Sequence, residues 1–338
     1  MKFGFIPIEG GACFAEMREE VLLGERLGFD SVWLEEHHGV RAHYWPSPLV
    51  ALAGIAACTE RIVLGSDIIV LPLYHPVRVA EDVAMLDVMT GGRFVLGAAI
   101  GYRPDEFGLY GVPLKNRGRR FDEALRLIRE LWTHEQVTFD GEYYRLEGQS
   151  IEPRPVTRPC PPIWVGGWGP RALERAARLG ESWIPGPTAG LEVLLEARLA
   201  YRANLQALGI DPASRPTPLT RDMVIAETDE EARQMAEKHL LAVYRDEYGG
   251  GQWQHPLIGH RDHAPLDQFG ELSRDRFLVG SPETIVSQIQ HFVEAFGVDH
   301  LICRLFFPGI SHAFLLSELR LLAGEVMPAF RTTRTSGP

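Results

Sequence analysis

Eight short apolar runs, each followed by a longer amphipathic stretch, limit what this chain can fold into more than any other feature. KFGFIP (2–7), SVWL (31–34), RIVLGSDIIVLP (61–72), GRFVLGAAIG (92–101), PIWVGG (162–167), SWIPG (182–186), TRDMVIA (220–226) and HLICRLFF (300–307) read as strands. Helices are expected over about 13–27, 48–58, 77–89, 117–132, from 170, over 191–208, from 229, and over 281–296 and 310–327. Proline at or near helix starts and glycine after helix ends support these boundaries. Repeated βα units force parallel pairing and right-handed crossovers. Eight of them favour an α/β fold of the closed (β/α)8 TIM-barrel type over an open doubly wound sheet. No Gly-x-Gly-x-x-Gly fingerprint follows the first strand, which argues against a dinucleotide-binding sheet. With 338 residues, 45% of them hydrophobic, the chain fills a single barrel domain, 1–338.

Two stretches interrupt the series as insertions after the fourth and seventh strands. The first, 137–162, holds a hairpin signal, VTF-DGE-YYRL, then the proline-rich connection IEPRPVTRPCPP. The second, 248–278, opens with YGGGQWQHPLIGHRDHAPLDQFG and has no clear period. Gly249, Gly250 and Gly251 would give it a hinge, and the segment reads as a lid or as a surface insertion.

A net charge of −11 disfavours nucleic-acid binding and offers no basic patch for a membrane surface. Cys13, Cys58, Cys160 and Cys303 show no metal-ligand spacing and are expected reduced. The apolar N-terminal run is too short for a signal peptide, and no stretch suggests a membrane span, so a cytoplasmic protein is expected.

The second strand ends in WLEEHH (33–38). In a barrel of this type catalytic groups gather at the C-terminal ends of strands, where Glu35, Glu36, His37 and His38 fall. Neighbours in extended chain face opposite ways, so Glu36 should share a face with His38, and Glu35 with His37. A histidine beside a carboxylate suits proton transfer near neutral pH; a solvated loop start is the bland alternative. No metal is expected: adjacent histidines rarely share an ion, and neither HxH nor HExxH occurs. His43, His75, His255, His260 and His263 suggest no cluster by spacing, and no Gly-x-Ser-x-Gly elbow supports serine hydrolysis.

PPIWVGGWGPRA (161–172) is a second constellation. Gly166 and Gly167, then Trp168, Gly169 and Pro170, lead from strand to helix, where free backbone N–H groups attract anions, and Arg171 adds a cation. Trp168 could stack on a ring or merely anchor the loop.

Taken together, these motifs resemble the bacterial-luciferase-like monooxygenase family of flavin-dependent (β/α)8 enzymes. EHH (36–38) is similar to the luciferase α-subunit motif, and IVLPLYHPVRVAEDVAMLDVMTGGRFVLGAAIG (69–101) is the densest match. GYRPDEFGLYGVP (101–113), RGRRFDEALRLIRELW (117–132), PPIWVGG (161–167) and FLVGSPETI (277–285) extend it over nearly the whole chain. The resemblance implies that His37 and His38 are the active-site pair, with His37 in acid–base duty and Glu36 or Glu35 tuning it. It also implies that Gly166, Gly167, Trp168, Gly169 and Ala172 form the flavin-phosphate turn. Asp67–Ile68 would carry a non-prolyl cis peptide against the flavin ring, with Ala99, Ile100 and Gly101 under it. The implied activity is oxygenation of a small organic substrate with O2 and reduced FMN from a separate flavin reductase, in a homodimer. The deazaflavin F420 enzymes, which transfer hydride, and a non-catalytic partner subunit are the alternatives. Where the luciferase α subunit has an arginine, this chain has Ile100, and its phosphate turn is GGWGPR. These departures argue against light emission and a long-chain aldehyde substrate.

Overall fold

The computed structural model describes residues 1–39, 44–248, 257, 266 and 268–331. Most of the expected lid, with the Gly249–Gly251 hinge, lies outside the described residues, as do His43, His255, His260 and His263.

Among the described residues, the strands in chain order are β1 Lys2–Ile6, β2 Ser31–Leu34, β3 Val63–Ser66, β4 Ile69–Val70, β5 Phe94–Ala99, β6 Val137–Asp140, β7 Arg145–Gln149, β8 Ile163–Gly166, β9 Ser182–Ile184, β10 Pro218–Ile225, β11 Leu278–Gly280 and β12 His300–Arg304. One mostly buried sheet runs β11-β10-β12-β1-β2-β3-β5-β8-β9, with β4 on β5, and every pairing in it is parallel. Helices cross between successive strands, as the alternation requires. Pro48, Pro76, Pro104, Pro170 and Pro282 open helices at positions whose backbone N–H would have no partner.

The sheet curls on itself. Thr220, on β10, donates a 2.6 Å hydrogen bond to Asp67, just past β3, across the interior. Among the described residues no backbone ladder joins β9 to β10; instead the Ser182 hydroxyl donates to the Pro216 carbonyl at 2.8 Å. The interior is filled by Ile6, Trp33, Val95, Trp164, Ile184 and Ile302, while a larger apolar core lies between sheet and helices. Trp33 stacks on Trp164 with centroids 4.8 Å apart. Its neighbours must be glycine: a Cβ on Gly65 would lie 2.3 Å from the Trp33 ring, and one on Gly4 2.9 Å from its Nε1.

The hairpin forms as the separate β6–β7 pair, its second strand running Arg145–Gln149 rather than from Tyr143. Three details depart from the sequence reading. The run 61–72 divides into β3 and β4 at Asp67–Ile68, which is joined by a cis peptide. The stretch after β5 holds a short helix, Pro104–Leu109, opened by proline and by Asp105 and Glu106 in its first turn. The three-residue β11 adds beside β10, too short to announce itself by period. All four cysteines are free, and no helix among the described residues is long and apolar enough to cross a membrane.

Candidate active site

β2 ends at Leu34, and the chain turns out at the C-terminal rim with four ionisable side chains. Glu36 is buried and fully engaged. Its Oε2 accepts from the Val70 N–H at 2.7 Å, and its Oε1 accepts from the Tyr74 hydroxyl and from His38 Nε2, both at 2.6 Å. With Nε2 donating, His38 Nδ1 accepts from the Tyr110 hydroxyl at 3.0 Å. The expected Glu36–His38 pairing is therefore present, closed within a buried network.

His37 differs. Its Nδ1 lies 2.7 Å from Glu106 Oε1, and its side chain keeps 19% of its surface exposed while that of Glu106 keeps 1%. The same carboxylate oxygen accepts from the His38 N–H at 3.0 Å, and Arg103 Nη1 stands 3.7 Å away. Burial would raise the Glu106 carboxyl, but the hydrogen bond and charge of His37, the His38 N–H and Arg103 outweigh it and hold the group below its ordinary value. An ionised Glu106 makes Nδ1 the protonated nitrogen of a neutral His37 and leaves Nε2 as its basic nitrogen. The carboxylate on His37 is thus Glu106, where the sequence reading expected Glu35 or Glu36.

Glu35 instead meets Arg304 at the end of β12, Nε to Oε2 at 2.9 Å. Buried Arg304 also reaches Asp222 of β10 at 3.1 Å and the Tyr44 hydroxyl at 2.8 Å, and Tyr244 donates to Asp222 at 2.7 Å. Glu9, past β1, accepts from the Glu35 N–H at 2.7 Å; burial first, then the Glu35 charge, raises its carboxyl well above the ordinary range. At Asp67 desolvation dominates over Thr220 and Arg304 and pushes the carboxyl up to about 6. Four carboxylates around one arginine form a strongly coupled polar mouth.

On the adjoining wall the side chains are small. A Cβ on Gly166 would lie 3.4 Å from both Ala99 Cβ and Ile68 Cγ2, while Gly97 is glycine for close strand packing, since a Cβ there would meet the Ser66 carbonyl oxygen at 1.8 Å. Gly101 packs so closely on Val70 that a Cβ there would sit 2.5 Å from its Cγ1, so the wall adjoins the strand whose N–H holds Glu36. Ile100 is half-buried between these positions. Past β8, Gly167 (φ 120°) and Gly169 (φ 88°) turn the chain into helix Pro170–Leu179. Ala172 abuts this turn, 3.1 Å from a Cβ placed on Gly167, while a Cβ on Gly169 meets nothing within 4 Å. Trp168 is half-buried with its ring edge-on to Trp183, whose Nε1 donates to the Gly167 carbonyl at 2.9 Å.

The structure thus gathers Glu36, His37 and His38 just past β2, with Glu36 tied to Val70 beside Gly101, and sets Ile68 and Ala99 against Gly166 where the glycine turn begins; Asp67 and Ile100 fall at the same strand ends. Trp33 and Trp164 lie deeper in the interior, and Trp164 reaches the opposite end of the strands. Sequence reasoning missed Glu106, Arg304, Asp222, Tyr44 and Glu9; only Glu106 stood inside a motif, GYRPDEF. No group of three or more potential metal ligands occurs among the described residues.

The family described as luciferase-like monooxygenase matches residues 4–300. The chain belongs to the luciferase-like monooxygenase family. It is an enzyme of that family, whose relatives are oxidoreductases. It is 31% identical to an F420-dependent glucose-6-phosphate dehydrogenase of Kineococcus radiotolerans, over 91% of this chain and 90% of that protein. It is 26% identical to the oxygenase component of a flavin-dependent trigonelline monooxygenase of Acinetobacter baylyi, over 95% of this chain and 91% of that protein. Among solved structures, the monooxygenase RslO1 from Streptomyces bottropensis superposes with a TM-score of 0.85 at 27% identity, covering 98% of this chain and all of its own (100%).

Proposed function

We propose that this protein is a flavin-dependent monooxygenase that receives reduced FMN from a separate reductase and uses O2 to oxygenate a small organic substrate. The observation that carries this reading is the rim itself: His37, fixed by buried Glu106, stands at the same rim as a wall of small residues at Ala99 and Gly166. Such a wall suits a flat tricyclic ring, which Asp67, Ile68, Ala99, Ile100 and Gly101 would line. Gly166, Gly167, Trp168, Gly169 and Ala172 would hold its phosphate, where the open space at Gly169 adjoins the positive end of a ten-residue helix.

Reduced flavin, when bound, supplies the electrons that activate dioxygen. His37 exchanges a proton with the substrate through Nε2 while Glu106 keeps Nδ1 protonated. Glu36 and His38 act as positioning residues, because their polar atoms are consumed by one another and by Tyr74, Tyr110 and Val70. In this reading the curled sheet is one (β/α)8 barrel domain spanning 1–338. Two copies pair through helices Pro48–Ala56 and Pro76–Thr90, where Val50 is 72% and Met85 50% exposed. The trigonelline enzyme, whose oxygenase is a component of its own, supports a separate reductase partner.

The F420-dependent relative, at 31% identity over 91% of this chain, favours a second reading: hydride transfer with F420 at the same wall. The two are separated by offering the protein chemically reduced FMN under air and, in parallel, reduced F420 with oxidised acceptors. Oxygen uptake with FMN and product hydroxylation support the monooxygenase; turnover with F420 alone overturns it. His37→Ala should lower turnover by about 10²–10⁴ while flavin still quenches tryptophan fluorescence. Unchanged turnover in that variant would leave a non-catalytic flavin-binding subunit.

A further inference from the structure

The starts of the strands converge at the end of the sheet opposite His37, and a cavity of about 770 Å³ opens there. That is the size range of small-molecule sites. Lys2, Val63, Val95 and His300 line it from strand beginnings, together with Trp164 and, ahead of β10, Arg215. Its apolar floor is Trp164, backed by the buried Trp33 stacked on it.

One donor in this floor can be assigned. Trp33 Nε1 donates to Ser31 Oγ at 2.8 Å, and Ser31 Oγ lies 2.7 Å from His300 Nε2. Among the described residues the Ser31 hydroxyl has these two partners alone, and the indole can only donate, so the serine proton goes to His300 Nε2. His300 Nδ1 therefore carries the ring proton. Burial, with Lys2 adding to it, lowers His300 to about 3, which keeps the ring neutral.

The charges around the cavity are unequally committed. Glu25 accepts from the N–H groups of Glu60, Arg61 and Ile62; Asp30 accepts from the Phe3 N–H; Glu181 binds the Ile163 N–H and Arg129. Among the described residues the side chains of Lys2, Arg26 and Arg215 make no hydrogen bond or ion pair, and Arg215 Nε is buried without an acceptor. Lys2 stands directly opposite His300 in the β1–β12 register. An apolar aromatic floor, one fixed donor and uncommitted cations describe a receptor for an anion attached to a flat ring.

We propose that this N-terminal mouth is a second binding site, taking a small aromatic carboxylate with its ring against Trp164 and its carboxylate toward His300 Nδ1, Lys2 and Arg215. The test is calorimetric titration of the full chain with 2-naphthoate and with neutral 2-naphthol, with and without saturating FMN. Saturable naphthoate binding is expected, about tenfold or more tighter than naphthol and indifferent to FMN. Lys2→Ala and Arg215→Ala, both at half-buried or exposed positions, should each weaken it about threefold. Absence of saturable binding into the millimolar range overturns the proposal. So do equal affinity for naphthol, displacement by FMN, or unchanged affinity in both variants.

Discussion

Asp67 is a carboxylate kept where it costs stability, and Asp67→Asn measures that cost. The side chain is half-buried just past β3, and its Oδ2 accepts from the Thr220 hydroxyl at 2.6 Å. An asparagine can keep that bond through Oδ1 while losing the charge. In the native chain the carboxyl titrates near 6, against an ordinary 3.8. The folded state thus holds the proton more tightly than the unfolded one, so stability is highest below about pH 4 and declines as pH rises through 6. The displacement corresponds to about 3 kcal/mol at most; solvent reaches this half-buried group, so about 1–2 kcal/mol is expected in practice. Asp67→Asn should therefore be more stable than wild type by that amount at pH 8 and equal to it near pH 4. Urea unfolding at constant ionic strength, followed by both circular dichroism and tryptophan fluorescence, reads the difference, the two probes guarding against a populated intermediate. A variant less stable at pH 8, or an offset identical at both pH values, would refute the reasoning. A costly carboxylate at a rim is what a working site retains.

Other substitutions probe neighbouring claims. Glu106→Gln removes a charge that holds His37 and the His38 N–H, and should cost about 2 kcal/mol at pH 7. Because Glu106 titrates below its ordinary 4.5, that contribution is present above pH 4.5 and fades as pH falls through the lower native value, so the two proteins should converge in acid. Gly97→Ala would place a Cβ 1.8 Å from the Ser66 carbonyl oxygen, and should cost about 3 kcal/mol in thermal or urea unfolding. Met85→Glu with Val88→Glu, at residues 50% and 43% exposed, should convert a dimer to monomer in light scattering after size exclusion; a monomeric wild type would refute the pairing face.

The strands were legible because their period and burial agree. SVWL is observed as Ser31–Leu34, all four residues buried, and the alternation of runs set the parallel order. Glu106 was not assigned because its partner lies 69 residues away and its helix is only six residues long, below the length at which a period is visible. Arg304 stayed hidden for a different reason. Inside HLICRLFF it looks like an interruption of an apolar strand, and only the folded sheet reveals Glu35, Asp222 and Tyr44 arriving from three other segments. The pairing of Glu36 with His38 could be foreseen, since alternation along an extended chain needs no tertiary knowledge.

The paired indoles of Trp33 and Trp164, with glycines on the flanking strands to admit them, act as a partition inside the curled sheet. Solvent and solutes at one mouth have no straight passage to the other. Each end can therefore be re-engineered for a new guest without rewriting the chemistry of its counterpart, provided the partition itself is left alone.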